Sequence, residues 1–166
     1  PGQIDLVAPF AISAAGTVPI VIRRNGDTVA VLDRSAAESH AALFVTDDLR
    51  NGFLLALNQD ATMNGATNPA SVGSLVSVFA TGLGAMLPSP VDGAMAGQDP
   101  SVPVARFPVL LTGNNMTEAA VEYVGSSPGL VQGIVRIDFR IPEEMVPRDG
   151  AISVRIGTNT GALFVR

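Results

Sequence analysis

Glycine and proline recur at short intervals along the whole chain, and this spacing constrains the fold more than any other feature of the sequence. There are 17 glycines and 12 prolines among 166 residues, and no single linker collects them. Both residues interrupt regular structure, so the apolar runs between them stay short. These runs have the character of strands, and a helical period is nearly absent. The spacing predicts an all-β chain of about ten short strands, which is typical of a β-sandwich.

Two of the predicted strand patterns are especially clear. Residues 18–22 and 28–32 flank Asn25-Gly26, the pair of residues that a type I′ hairpin turn requires. Residues 74–80 alternate between two faces that are both fairly apolar. That pattern predicts a core strand covered on both sides.

The end of the chain repeats a pattern found near its start. Residues 4–9 read IDLVAP and are followed by Gly16, VPIVI, a turn and VAVL. Residues 137–142 read IDFRIP and are followed by Gly150, ISVRI, a turn and ALFV. The turns differ, but the order of strand, proline, loop, glycine and hairpin is the same. Agreement in order over about 30 residues indicates a repeated structural unit.

The repeat predicts how the chain divides into domains. If the repeated unit is an immunoglobulin-like (Ig-like) β-sandwich that ends in this hairpin, residues 67–166 form one complete unit. Residues 1–66 then form a partial Ig-like unit that holds only the closing strands, the first of them over residues 3–8. Unpaired sheet edges invite pairing. We therefore expect residues 1–66 to pack on the complete unit, or to pair with another protein or a second copy through open sheet edges.

Three blocks of sequence carry a resemblance to a known family: PGQIDLVAPF, ALNQDATMNGATNPASVGSLVSVFATGLG and VEYVGSSPGLVQGIVRIDFRIP. Together they resemble the uncharacterised C-terminal domain family of Solibacter and other Acidobacteria, in the expected order and over essentially the whole chain. GSLVSVFATGLG also resembles the opening strand and turn of a TIG-type Ig domain. The resemblance implies an extracellular or cell-envelope bacterial module with tandem TIG/Ig-like units and no known catalytic role.

Composition argues against several other classes of protein. Apolar residues make up 47% of the chain and charged residues 15%, which excludes a disordered chain. The net charge is −5 and the arginines are scattered, whereas a nucleic-acid binder usually shows a basic patch. There is no cysteine, which excludes disulfides and thiolate metal sites, and no apolar run is long enough to cross a membrane. The chain begins at Pro1 without Met or a signal peptide, so we expect a processed form or a fragment.

The sequence assembles no convincing catalytic site. His40 is the only histidine, and a Ser-His-Asp triad would need Ser35 or Ser39 as nucleophile and Asp33 as the orienting group. Ser39 is adjacent to His40, whereas hydrolase triads come from separate segments, and no G-x-S-x-G motif is present. We therefore interpret His40 as a loop or surface histidine, and we predict no catalytic residue and no cofactor.

Asp60, Thr62 and Asn64 are a weak candidate for a calcium site. With Gly65 they fall at positions 1, 3, 5 and 6 of an EF-hand-like loop. Position 12 is Ser71, where a bidentate Glu is required. A turn in which Asn and Asp side chains bond their own backbone explains the same residues.

These observations predict a non-catalytic Ig-like module of a secreted or cell-envelope bacterial protein, acting as a structural spacer or a protein-interaction domain. The alternative is a carbohydrate-binding or hydrolase-associated module with its site in residues 81–104, a long stretch that either forms a surface excursion or hides a short strand. The chain has no Trp and only Tyr123, which disfavours carbohydrate binding. The alternative requires that this stretch wall a deep pocket in which Asp99, Arg106 or His40 converge.

Overall fold

The computed structural model describes residues 3–12, 16–46 and 52–166, and these residues form strands and no helix, which confirms the all-β prediction. Most of the strands lie in two antiparallel sheets whose inner faces share one hydrophobic core, an arrangement consistent with a β-sandwich. The strands are β1 (Thr17–Arg24), β2 (Asp27–Ser35), β3 (Ala42–Leu43), β4 (Ala56–Asn58), β5 (Leu75–Thr81), β6 (Met86–Leu87), β7 (Val102–Pro103), β8 (Val109–Thr112), β9 (Met116–Glu118), β10 (Ala120–Ser126), β11 (Val135–Arg140), β12 (Ala151–Ile156) and β13 (Asn159–Phe164).

The larger of the two main sheets is built around β5. Its strand order is β10-β11-β5-β3, and β4 also pairs with β5. The predicted core strand is present, but only one of its faces is fully covered: Val76, Val78 and Ala80 are fully buried, while the intervening side chains are half-buried. Since β3 and β4 precede residue 66 and β5 follows it, this sheet contains strands from both sides of the predicted domain boundary. The division into units at that residue stays a prediction.

The second main sheet has the order β13-β12-β8-β9 and supplies the opposite wall of the core. The chain crosses from this sheet to the first one at Ala119, a buried residue between β9 and β10. Leu111 of β8 and Val154 of β12 are fully buried on its inner face, as is Phe139 on the inner face of the larger sheet. Each large apolar side chain removed from water in this way contributes about 1.5–3 kcal/mol to folding.

The outer edge of β13 is covered by backbone from an earlier part of the chain. Leu54 donates a hydrogen bond to the carbonyl oxygen of Ala162 at 2.8 Å, and Ala70 donates to that of Phe164 at 3.0 Å. The ring of Phe53 stacks on that of Phe164, with 3.8 Å between the ring centroids. An edge strand would otherwise present unpaired backbone groups to other chains. These contacts satisfy the edge from within the same chain.

The hairpin formed by β1 and β2 stands apart from the two main sheets. Its turn is the predicted one, with Asn25 at φ 54° and Gly26 at φ 93°. The two strands pair with each other and with no other strand among the described residues.

The strand predicted over residues 3–8 is wrong, because these residues form no strand. Their alternation is that of a strand, but no neighbouring strand offers them backbone partners. Beyond them, the backbone N–H of Phe10 donates to the Asp92 carboxylate at 2.8 Å, and the ring of Phe10 packs beside Gly133 and against the core.

The stretch 81–104 contains the short antiparallel pair of β6 and β7, as one of the two sequence interpretations proposed. It begins with a bend at Gly82 and Gly84, which have φ of 71° and 81°. A Cβ atom at Gly82 would lie 2.2 Å from the carbonyl oxygen of His40, so only glycine lets the two backbones come this close. No helix in the described part of the chain is long and apolar enough to cross a membrane.

Candidate functional site

The structure does not assemble the Ser-His-Asp triad considered for His40. His40 lies in an exposed loop, where its backbone N–H donates to the carbonyl oxygen of Gly82 at 2.8 Å. Asp33 lies in the β1–β2 hairpin, where it faces Pro19. Among the described residues, no hydrogen bond joins the imidazole of His40 to Asp33 or to a serine.

The three calcium candidates separate into a local turn and a long-range contact. Oδ1 of Asp60 accepts hydrogen bonds from the hydroxyl of Thr62 at 2.6 Å and from its backbone N–H at 3.0 Å. These bonds hold the pKa of the Asp60 carboxyl below its ordinary value, the hydroxyl contributing most. Within the described residues, no group of three or more His, Asp or Glu side chains could hold a metal ion. The calcium assignment therefore stays a weak prediction, beside a turn that the hydrogen bonds describe directly.

Asn64 has a different role from the one its position in the motif predicts. Its side chain is buried, and it binds both backbone groups of Phe164: Nδ2 donates to the carbonyl oxygen at 2.9 Å, and Oδ1 accepts from the N–H at 3.1 Å. Nδ2 also donates to Oδ1 of Asn58 at 3.0 Å. The Asn64 side chain thus substitutes for a strand residue beside β13. The local sequence pattern gives no sign of this contact, since the partner lies 100 residues further along the chain.

A hollow on the described surface, here called the open groove, has a volume of about 420 Å³. It lies where the chain leaves β7 and where β9 leads into β10, beside the outer edge of the larger sheet. Its walls are mostly apolar, with Val104 and Val121 exposed and Ile137 of the core at its floor. The groove therefore offers apolar surface beside a sheet edge that no described strand occupies.

Two charged residues line the open groove and pair with each other. Arg106 Nη2 lies 3.0 Å from Oε1 of Glu118, and both side chains are exposed. An ion pair of this kind contributes at most about 1 kcal/mol. General acid–base hydrolysis of a glycoside needs two facing carboxyls, and the groove has one. Of the three residues that the alternative function would bring into a deep pocket, Arg106 lines the groove, while Asp99 and His40 do not.

A polar cluster covers part of the outer face of the larger sheet, where sequence analysis proposed no site. Nε of Arg136 lies 3.1 Å from Oδ1 of Asp138 but out of line for a hydrogen bond, so charge alone joins the two side chains. The guanidinium carbon of Arg136 stands 4.7 Å from the ring centre of Tyr123, within range of a cation–π interaction. The Tyr123 hydroxyl donates to the carbonyl oxygen of Ser126 at 2.7 Å. A shallow hollow of about 190 Å³ borders this cluster.

The electrostatics of the cluster act on Tyr123. Burial raises the pKa of its phenol, Arg136 opposes this increase and Asp138 adds to it. The signal for the cluster was present in the sequence: Arg136, Asp138 and Arg140 alternate with the buried Ile137 and Phe139 along one strand. The cluster combines one cation with one carboxylate and a neutral phenol, a combination suited to holding β10 against β11.

Comparison of the chain with protein-family models, with curated proteins and with solved structures gives no match. The function proposed below therefore rests on the sequence patterns and on the geometry described above.

Proposed function

We propose that the chain is a non-catalytic Ig-like module of TIG type in a secreted or cell-envelope bacterial protein, where it serves as a structural spacer or a protein-interaction domain. One observation carries the proposal: the closing hairpin of the second main sheet, β12–β13, has a counterpart in β1–β2, with a glycine of positive φ ahead of each hairpin and an equivalent backbone hydrogen bond that closes it. Proteins that repeat a β-sandwich unit commonly use the units as spacers and binding surfaces. The sequence resemblance supports the extracellular setting.

The open groove favours the second candidate, a carbohydrate-binding or hydrolase-associated module. It lies at the end of the 81–104 stretch, where this alternative places its site, and Arg106 lines it. Sugar-binding sites usually present exposed aromatic rings and several convergent polar groups. Here the only aromatic ring lining the groove is the half-buried Phe107, and Arg106 is already paired with Glu118. The spacer or interaction role is therefore the better supported of the two.

A panel of chromogenic esters and glycosides, together with calorimetric titration of soluble oligosaccharides, tests the proposal. We expect neither turnover nor a binding isotherm. The matched variants are Arg106→Ala in the groove and Arg148→Ala on an exposed turn. Turnover or binding that R106A abolishes and R148A preserves would identify the groove as a site and refute the non-catalytic role. Protease added to intact cells of the producing bacterium tests the location, since a surface module is cleaved without lysis.

A further inference from the structure

Two segments near the start of the chain expose apolar side chains in a strand-like alternation. Ile4 is 67% exposed and Leu6 is 56% exposed, although both belong to a pattern typical of a core strand. In the hairpin, Val18, Ile20 and Ile22 share one face and are only half-buried. A hairpin without further strands is marginally stable in water. Both segments therefore present surface that a partner would cover.

The β1–β2 hairpin repeats the geometry of β12–β13. Gly16 precedes the first and Gly150 the second, and both have positive φ, 100° and 76°. The carbonyl oxygen of Gly16 accepts from the N–H of Ala36 at 2.9 Å, and that of Gly150 accepts from Val165 at 3.0 Å. In each hairpin this bond lies one residue beyond the last strand pair, Thr17 with Ser35 or Ala151 with Phe164. Over their first six strand pairs the two hairpins are thus equivalent in register as well as in sequence order. Beyond Ile22 the first hairpin has a β-bulge and two further pairs, which the second hairpin lacks.

This equivalence identifies the uncovered face of the first hairpin. In β12 the residues at two, four and six positions after the glycine are fully buried against the larger sheet. These three residues are Ile152, Val154 and Ile156. At the same positions after Gly16, the first hairpin carries Val18, Ile20 and Ile22. The face that builds the core in the second hairpin is only half-buried in the first.

The segment before the hairpin follows the same rule. Ile137, Phe139 and Ile141 belong to the IDFRIP pattern and are buried in and just after β11. The IDLVAP pattern places Ile4, Leu6 and Ala8 at the same positions, and all three are exposed. Equivalents of both β11 and β12 are therefore present, without the strands that β11 and β12 pack against.

We propose that residues 3–9 and the β1–β2 hairpin dock on the opening strands of a first Ig-like unit, the equivalents of β5, β8 and β10, carried by the same polypeptide ahead of Pro1. This inference rests on the Ig-like assignment proposed above and deepens it. In the main sheets, β5 and β10 flank β11, and β8 flanks β12. These strands precede β11 in the chain, and the connection from β10 to β11 is short. A partner in the same polypeptide thus reaches the docking face without a long linker.

A second copy of the chain is a poorer fit to the same face. In each copy, the positions beside β5 and β8 are already filled by its own β11 and β12. A second copy offers only its outer strands, such as β10, and β10 lies beside the open groove rather than facing an open apolar sheet.

Hydrogen exchange tests the proposal on two lengths of the protein: the chain as described here, and the chain extended through the natural reading frame ahead of Pro1. We expect the amides of residues 3–9 and of β1–β2 to exchange at least ~100-fold more slowly in the longer protein. Exchange at equal rates in the two lengths would overturn the proposal, as would a reading frame too short to encode the opening strands.

Two variants of the longer protein make the test specific to one face. Ile20→Ser changes the proposed docking face, because Ile20 is equivalent in position to the buried Val154. Val21→Ser changes the opposite face, because Val21 is equivalent in position to the exposed Arg155. We expect I20S to remove the added protection of the hairpin and V21S to retain it, while β12 stays protected in both. Equal effects of the two variants on hairpin protection would overturn the proposal. It would also be overturned if the hairpin of the shorter chain became protected as the protein concentration rises and sedimentation showed a dimer forming over the same range, because the partner would then be a second copy. Since these readouts do not depend on turnover, they can fail independently of the spacer role.

Discussion

Replacing Asn64 by Ala should destabilise the protein by about 3 kcal/mol, a large effect for one polar side chain. Asn64 is only 6% exposed, and its amide makes three hydrogen bonds. The carbonyl oxygen of Phe164 keeps a second donor, the N–H of Ala70, but the N–H of Phe164 loses the acceptor that Asn64 supplies. An orphaned buried donor costs about 1–3 kcal/mol, and each donated bond adds about 1 kcal/mol.

Asn68→Ala is the matched control. Asn68 lies in the same loop, and its amide donates to Oγ1 of Thr62 at 2.8 Å and to the carbonyl oxygen of Met63 at 3.0 Å. Because Asn68 is exposed, water replaces these bonds, and we expect a loss of about 1 kcal/mol or less. Asn64→Asp keeps one acceptor but turns a carboxylate oxygen toward the Phe164 carbonyl, so it should be at least as destabilising as N64A at neutral pH.

Urea unfolding followed by far-ultraviolet circular dichroism measures these differences, since the chain has no tryptophan to report by fluorescence. The midpoint should fall for N64A, with an unchanged dependence of the unfolding free energy on urea. Equal losses for N64A and N68A would refute the reasoning, because burial is the property that distinguishes the two sites.

Two further predictions concern the polar cluster and the bend after β5. Tyr123 is the only tyrosine, so a pH titration followed by the ultraviolet absorbance of tyrosinate reports on this residue alone. The midpoint of the titration should lie above pH 10.0. It should be higher still in Arg136→Gln, which removes the cation, and lower in Asp138→Asn, which removes the carboxylate. Because the folded pKa is raised, the associated stability is present below pH 10.0 and is lost as pH rises through the folded pKa; a midpoint at or below 10.0 would contradict this assignment. Gly82→Ala should cost about 3 kcal/mol or more in thermal or urea unfolding, from positive φ and the collision with the His40 carbonyl. Gly97→Ala meets no atom within 4 Å and should be neutral, so similar losses in both would show that the close approach is not the cause.

Local patterns predicted the elements whose structure is decided by their own residues. Asn25-Gly26 supplies the two positive φ angles of its turn without help from the rest of the chain. Residues 74–80 are apolar on both faces, and such a strand finds a buried position in the middle of a sheet. The all-β class follows from many segments of this kind, so an error in one of them leaves it intact.

Contacts with other parts of the chain determined the structure of two segments that local sequence patterns predicted wrongly or incompletely. The IDLVAP and IDFRIP patterns are nearly the same, yet only the second forms a strand, because only there do β5 and β10 offer hydrogen bonds. Asn64 looked like a member of a calcium loop, and its side chain is instead bound to Phe164. In both cases the deciding groups lie outside the pattern itself, where single-sequence patterns carry no information about pairing.

The contact between Asn64 and β13 has a consequence for how the protein folds during its synthesis. The two residues it joins are 100 positions apart, and Phe164 belongs to the last strand. The edge that residues 52–54 and 70 complete does not exist until β13 has been synthesised, so those residues lack their partner while all the intervening residues are made. Contacts between such distant residues slow folding, because a long loop must close before they form. Closure of this edge therefore has to wait until β13 has been synthesised.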